Sequence, residues 1–268
     1  MNTNSRLRDD LAFAGAIIDQ VDALTLDRFQ AQDLVVSTKP DNTAVTDADL
    51  AAEHLIRSML DRSRSRDAIL GEEEGETGNA PRRWIIDPID GTHNFMRGVP
   101  VWATLIALEE EGEITLGIVS APSLHRRWWA AKGMGAFTGR SWSNAKQLRV
   151  SEVSKVADAS LSYSSLTGWA RRGQLRGFLR LAQSAWRTRA YGDFWSYMLL
   201  AEGAVDIAAE PSLELYDMAA LVPIVTEAGG TFTSIEGKPG PWGDNAFVTN
   251  SHLHDEALEI LSSVTDDE

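Results

Sequence analysis

The chain has 268 residues, 43% of them apolar and 24% charged, with a formal charge of −14 and no cysteine. That length holds one large domain or two smaller ones sharing a core. The acidic balance argues against a nucleic-acid or anionic-membrane surface, which needs clustered Lys and Arg, and the lack of cysteine excludes disulfides, thiolate zinc sites and thiol catalysis while suiting a reducing cytoplasm.

The opening MNTNSRLRDD lacks the apolar core of a signal peptide, and no apolar run approaches the roughly 20 residues that span a bilayer; a cytoplasmic chain with no membrane contact is expected. Leu7, Leu11, Ala14, Ile18 and Val21 recur at three- and four-residue steps and predict an amphipathic helix. STKPDNTA, which carries Lys39 and Asp41, breaks it. A second helix opens at Thr46, where TDAD has the form of a capping box, with Leu55, Ile56, Met59 and Leu60 on its apolar side. DAILGEEEG predicts a short strand ending in an acidic turn. WATLIALEEEGEITLGIVSAP predicts two strands joined at EEGE, and RRWWAAKGMGAF continues the meander. The pattern shifts near residue 150. ASLSYSS is a strand and RRGQLRGFLRLAQSAW a basic amphipathic helix; DFWSYMLLAEG, AVDIAAE, YDMAALVPIVTEAGG, TFTSI and AFVTN then alternate helix and strand, and a last helix spans about His252 to Ser262. Residues 1–150 are expected to form an α+β half and residues 151–268 an α/β half.

Chemistry concentrates in WIIDPIDGTHNF, Trp84 to Phe95. Trp84, Ile85 and Ile86 form a buried strand that runs into Asp87 and Asp90, and a strand's carboxyl end is a usual place for a site. Pro88 stiffens the intervening turn, Gly91 lets the backbone approach a ligand, and Thr92 adds a hydroxyl. Two carboxylates converging on one point repel each other unless one is protonated or a hard cation such as Mg²⁺ lies between them. A glycosidase pair is a competing use, though nothing here supplies a sugar platform. Taken alone the run is equally well a capped turn, since Asp-Pro and Asp-Gly are common turn dipeptides. Glu72, Glu73 and Glu74 in GEEEG alone read as a solvated loop, and Asp217 at the start of a helix reads as an N-cap.

Together, and in this order, these pieces resemble the inositol monophosphatase superfamily of metal-dependent, lithium-sensitive phosphatases. The resemblance runs from about Leu11 to Leu261 and rests on KPDNTAVTDADLAAEHLI, LGEEEG, WIIDPIDGTHNF, GAF with LRVS downstream, and YDMAALVPIVTEAGG. GVPVWATLIAL, VSAP followed by RRWWAA, SSLTGWA, and RAYGDFWSY followed by AEGAVDIAAEP are most similar to histidinol-phosphate phosphatases of actinobacterial type. The resemblance implies a layered αβαβα sandwich of the inositol monophosphatase and fructose bisphosphatase type. It implies one Mg²⁺ held by Glu72, Asp87 and the carbonyl of Ile89, a second held by Asp87, Asp90 and Asp217, and room for a third, weaker ion near Glu72. Gly91 and Thr92 then bind phosphate through backbone N–H groups, and Thr92, backed by Asp49, orients the attacking water with Glu72; Glu73 supports these groups rather than ligating.

Asp193 and Glu210 occupy the superfamily's substrate-pocket positions, where acids suit the cationic part of L-histidinol phosphate. The other reading of Asp193 is an N-cap for the helix FWSYMLLA. Phe194 and Trp195 are expected in the aromatic core, with packing on an imidazole as the other reading, and His93 is expected as a turn residue near the site. The implied activity is Mg²⁺-dependent hydrolysis of L-histidinol phosphate by a homodimer, without a phospho-enzyme. Two alternatives stand beside it: the same chemistry on inositol phosphate, a sugar bisphosphate or a phosphoadenosine nucleotide, and a non-catalytic binding protein or scaffold that keeps the fold.

Overall fold

The computed structural model describes residues 3–40 and 43–263; Asp41 lies outside them. Helix α1 (Thr3–Arg28) leads into a small hairpin, β1 (Val36–Thr38) with β2 (Ala44–Thr46), and then α2 (Asp47–Arg64). Thr46 caps α2: its hydroxyl accepts from the N–H groups of Ala48 and Asp49, and the Asp49 carboxylate accepts the Thr46 N–H at 2.8 Å. The capping box read from TDAD is therefore present.

β3 (Ala68–Gly71), β4 (Gly75–Thr77), β5 (Arg82–Asp90), the short helix α3 (Thr92–Met96), β6 (Ala103–Glu110), β7 (Glu113–Ala121), β8 (Arg126–Ala131), β9 (Ala136–Gly139) and β10 (Lys146–Gln147) follow. The strands form one sheet of order β10-β9-β8-β7-β6-β5-β3-β4, in which β3 and β5 run parallel and the meander from β5 to β10 is antiparallel. The β6–β7 hairpin turns at Glu111 and Gly112, both at positive φ (53° and 85°), a backbone pair that matches the strand twist.

The remainder comprises β11 (Ser160–Tyr163), α4 (Leu166–Arg171), α5 (Leu175–Ser184), β12 (Arg187–Arg189), α6 (Asp193–Ala201), β13 (Ile207–Glu210), α7 (Leu215–Ala219), α8 (Leu221–Glu227), β14 (Thr231–Thr233), β15 (Ala246–Thr249) and α9 (His254–Ser262). Its strands make a second sheet of order β12-β11-β13-β15-β14.

Strand alternation sorts the core into layers. Trp84 and Ile86 face one way and pack with Ile106, Leu116 and Ile118 under Ile17, Ile18, Ile56 and Leu60 of α1 and α2. Ile85 faces the other way, with Leu105, Val119 and Trp128, against Tyr197, Met218 and Ile224 of α6, α7 and α8. Those helices also cover Ala208 and Val248 of the second sheet, whose opposite face buries Leu161, Ile207 and Phe247 beneath Trp169, Phe178 and Leu261 of α4, α5 and α9. The architecture is an αβαβα sandwich, as expected. Among the described residues, no helix is long and apolar enough to cross a membrane.

Three local readings change. Asp87 to Asp90 is not a turn after the strand but the end of β5 itself. The register against β6 slips between Asp87, opposite Leu105, and Asp90, opposite Ala103, so three steps on β5 match two on its partner. Pro88, which has no N–H to give a ladder, fits such a bulge. RRGQLRGFLRLAQSAW is helical only from Leu175 to Ser184: α4 ends at Arg171, and Gly173 with φ 72° separates it from α5. The last helix starts at His254 rather than His252.

Candidate metal-dependent active site

In a regular strand, residues i and i+3 point to opposite faces. The bulge in β5 cancels that alternation, and Asp87 and Asp90 turn to the same side. Thr104 supports the bulge by donating its hydroxyl to the Pro88 carbonyl at 2.8 Å. Asp217 arrives from α7. It is not the N-cap of that helix, a position held by Glu214, but its third residue, and its carboxylate accepts the Glu214 N–H at 2.7 Å. One oxygen each from Asp87, Asp90 and Asp217 lies within 4.8 Å of the others.

This proximity is electrostatically unfavourable in the bare protein. Burial raises the Asp87 pKa well above the usual carboxylate range, and the charges of Glu72, Asp90 and Asp217 add to it. Asp90 is raised likewise, by burial and then by Asp193 and Asp217. Asp217 is pushed up to about 7, chiefly by burial. Asp87 is 1% exposed, and its Oδ1 has no hydrogen-bond partner, an arrangement that costs free energy unless something fills it. A hard, oxygen-seeking cation satisfies both conditions: it neutralises three converging carboxylates and gives the buried Oδ1 a partner. The donor set therefore fits a divalent metal ion.

The three acids line a cavity of 370 Å³ together with Glu72, Ile89, Gly91, Thr92, His93, Asn94 and Asp193. Glu72 enters from the β3–β4 turn and accepts from Lys39 Nζ at 2.8 Å; the same ammonium lies 2.8 Å from Glu73. Burial opposes the charge on Lys39, but the two glutamates outweigh it and raise its pKa. Glu73, with burial as the main cause, is itself pushed up to about 7. Gly91, at φ 86°, starts α3, and a side chain there would begin 3.1 Å from the Val101 carbonyl. Thr92 Oγ1 lies 3.1 Å from the Ile89 carbonyl and 3.3 Å from Asp49 Oδ1. Asp49 is fully buried, and burial pushes it up to about 6.

Asp193 is the first residue of α6, not its cap, and sits at φ 50°. Its carboxylate accepts from Asn94 Nδ2 at 3.2 Å, and burial raises its pKa while His93 lowers it. Glu210, at the end of β13, is 4% exposed; burial, then the Asp193 charge, pushes it up to about 8. The hydroxyls of Ser164 and buried Tyr197 lie beside its carboxylate. Phe194 is core, its ring centroid 6.1 Å from that of Trp128, whereas Trp195 is half-buried in a T-shaped contact with Tyr191. His93 is exposed on α3.

Asn94, Glu53 and Arg57 escape the sequence reading. Asn94 is found only through its tertiary partners. Glu53 and Arg57 did leave a signal, a charged i, i+4 pair on the stripe of α2 that Ala52, Ile56 and Leu60 bury.

A family model described as the inositol monophosphatase family matches residues 7–266. The chain is 59% identical over 258 residues to a histidinol-phosphatase of Streptomyces coelicolor, covering 95% of this chain and 97% of that protein. It is 55% identical over 256 residues to a histidinol-phosphatase of Mycobacterium tuberculosis, covering 95% and 98%. The crystal structure of the extragenic suppressor protein suhB of Bartonella henselae aligns with a TM-score of 0.86 at 27% identity, over 95% of this chain and 98% of that one. On this near-complete match, the chain belongs to the inositol monophosphatase family.

Proposed function

We propose that the protein is a Mg²⁺-dependent phosphomonoesterase that hydrolyses L-histidinol phosphate to L-histidinol and phosphate, a step of histidine biosynthesis. The observation that carries this reading is the likeness to histidinol-phosphatases over nearly the whole of both chains, in a protein whose acids converge in one cavity. A scaffold has no use for buried acids that repel one another; a metal-dependent hydrolase does.

In this reading Glu72, Asp87 and the Ile89 carbonyl hold one Mg²⁺, and Asp87, Asp90 and Asp217 a second, with room for a third, weaker ion near Glu72. Mg²⁺ supplies Lewis-acid polarisation of the phosphoryl group and a water acidic enough to attack at neutral pH. Gly91 and Thr92 present backbone N–H groups to the phosphate at the start of α3. The Thr92 hydroxyl, 3.3 Å from Asp49, donates toward that carboxylate and so offers its lone pair to orient the water with Glu72. No side chain is required as nucleophile.

Asp193 and Glu210 bind the cationic end of the substrate. Their support is electrostatic: burial holds both toward protonation, and a ligand ammonium would favour their ionised forms. Residues 1–150 supply the phosphate site and most metal ligands, and residues 151–268 supply Asp217 and the specificity acids. The reading includes a cytoplasmic homodimer, and the absence of cysteine suits a reducing compartment.

Phosphate release from L-histidinol phosphate, inositol 1-phosphate, fructose 1,6-bisphosphate and a phosphoadenosine nucleotide, with and without Mg²⁺, tests the reading. A preference for L-histidinol phosphate that depends on Mg²⁺ is expected. A preference for another ester would replace the substrate, and no metal-dependent release from any of them would remove the enzyme.

A further inference from the structure

We propose that Glu53 is a positioning residue for the metal site: with Arg57 it clamps the turn between β3 and β4, and so fixes where Glu72 and Glu73 present their carboxylates. The inference rests on the reading of Glu72 as a metal ligand.

Glu53 lies on α2, wholly buried at 0% exposure. Its Oε2 accepts the Glu73 N–H at 2.8 Å, and its Oε1 accepts the Glu74 N–H at 3.0 Å and Arg57 Nε at 2.8 Å. The Glu72 N–H goes to the Ile86 carbonyl of β5 at 3.2 Å. All three backbone donors of the Glu72–Glu74 run are thus held, one by the strand that carries Asp87 and two by a single carboxylate. Arg57 reaches past Glu53 to the far side of the turn, where it donates to the Gly75 carbonyl and, at 3.1 Å, to Thr77 Oγ1.

The local sequence is shaped around this contact. A Cβ on Gly71 would fall 2.0 Å from Glu53 Oε1 and 2.4 Å from its carboxyl carbon. Gly71 has ordinary negative φ, so its lack of a side chain serves space rather than backbone conformation. The glycine that precedes the three glutamates is therefore the opening through which α2 reaches their backbone.

Charge explains why the clamp is an ion pair. An uncompensated carboxylate behind Glu72 and Glu73 would add to the repulsion among the acids that already converge on the cavity. Arg57 cancels that charge on the spot, and Glu53 is left as an acceptor for two N–H groups. Asp49 lies one helical turn earlier on the same face of α2 and contacts Thr92. One helix face therefore sets both the Thr92 side and the Glu72 side of the cavity.

The test uses the full chain and three variants: Glu53→Gln, Arg57→Lys and Glu72→Gln. Mg²⁺ binding to the folded, chelator-stripped protein is read by titration calorimetry, alongside the melting temperature and, on L-histidinol phosphate, the Mg²⁺ half-saturation and the ester KM at saturating Mg²⁺. Glu53→Gln is expected to weaken Mg²⁺ binding about 10- to 100-fold, the usual effect of losing a group that orients a ligand, with little change in the ester KM. Arg57→Lys keeps a cation beside Glu53 but loses the forked reach to Gly75 and Thr77, and is expected to weaken binding in the same direction; it carries the test if Glu53→Gln does not fold. A folded variant that melts lower yet binds Mg²⁺ like the parent would reduce the clamp to a purely structural role. If Glu72→Gln also leaves the isotherm unchanged, the assignment of Glu72 as a ligand is what fails; if Glu72→Gln weakens binding and the clamp variants do not, only the clamp fails.

Discussion

The Asp90 carboxylate accepts the backbone N–H of Phe194 at 2.6 Å. This bond ties the bulged end of β5 to the first turn of α6, and so ties the metal acids to the element that presents Asp193. In the proposed reading the specificity acid Asp193 thus sits beside the metal acids, and Asp90 grips the backbone of α6 rather than the Asp193 side chain.

Asp193→Asn keeps that backbone bond, and Asn tolerates positive φ. Glu210→Gln likewise keeps size and shape. A charge-assisted contact to an ammonium contributes roughly 1.5–3 kcal/mol, so each substitution is expected to lower kcat/KM for L-histidinol phosphate on the order of 10- to 150-fold. The loss on p-nitrophenyl phosphate, which has no cation, is expected to be far smaller. Equal losses on both esters would assign these acids to the fold or the metals instead.

Metal binding and pH are linked through the buried acids. Asp217 is raised to about 7, and Asp87 and Asp90 are raised too. The metal-free folded protein therefore binds more protons than the unfolded chain, and these groups lower its stability as pH rises from about 4 through about 7. Mg²⁺ favours the ionised forms and removes the penalty. Melting the protein with EDTA and with Mg²⁺ at pH 5, 6.5 and 8 is expected to give a gain from Mg²⁺ that grows with pH. A gain independent of pH would mean that these acids do not meet the metal.

Direct attack by water predicts that solvent ¹⁸O enters the released phosphate once per turnover. Rapid quench is expected to trap no phosphorylated protein. A stoichiometric phospho-protein would show that a side chain attacks first.

How much of this was legible in the sequence depends on how local each cause is. The capping box at Thr46 needs only its own four residues, and both its hydrogen bonds form. The acids were legible as types: Asp87, Asp90 and Asp217 do converge. The reason that the i, i+3 pair can converge was not, because a bulge is a property of pairing with Leu105 and Ala103, and nothing in Asp-Pro-Ile-Asp distinguishes it from a turn. β12 was missed because a short strand of Arg, Thr and Arg at a sheet edge has no apolar alternation. A cap stood as the alternative for Asp193 because its partner, Asn94, belongs to another element. Glu53 was passed over because charge on a helix is ordinarily solvated, and only its i, i+4 pairing with Arg57 on the apolar face marked it as buried.

Gly91 tests the backbone at the proposed phosphate site. Ala there must hold φ 86° with its Cβ 3.1 Å from the Val101 carbonyl and 3.4 Å from Asp193 Oδ2. The strain is expected to cost about 1–3 kcal/mol of stability, seen as a lower melting temperature, and to reduce kcat on every ester because the backbone N–H groups of α3 shift with it. A Gly91→Ala protein with unchanged kcat would place the phosphate elsewhere.

The central claim, Mg²⁺-dependent hydrolysis of L-histidinol phosphate at the Asp87 cluster, is tested most directly by growth. A histidine auxotroph that lacks its own histidinol-phosphate phosphatase is given this chain or its Asp87→Asn variant, with both proteins checked for soluble expression and a cooperative melt. The account predicts growth without histidine on the unaltered chain and none on Asp87→Asn, because that substitution removes the carboxylate assigned to both ions. Failure of the unaltered chain to support growth would contradict the substrate, and growth on a folded Asp87→Asn would contradict the metal site.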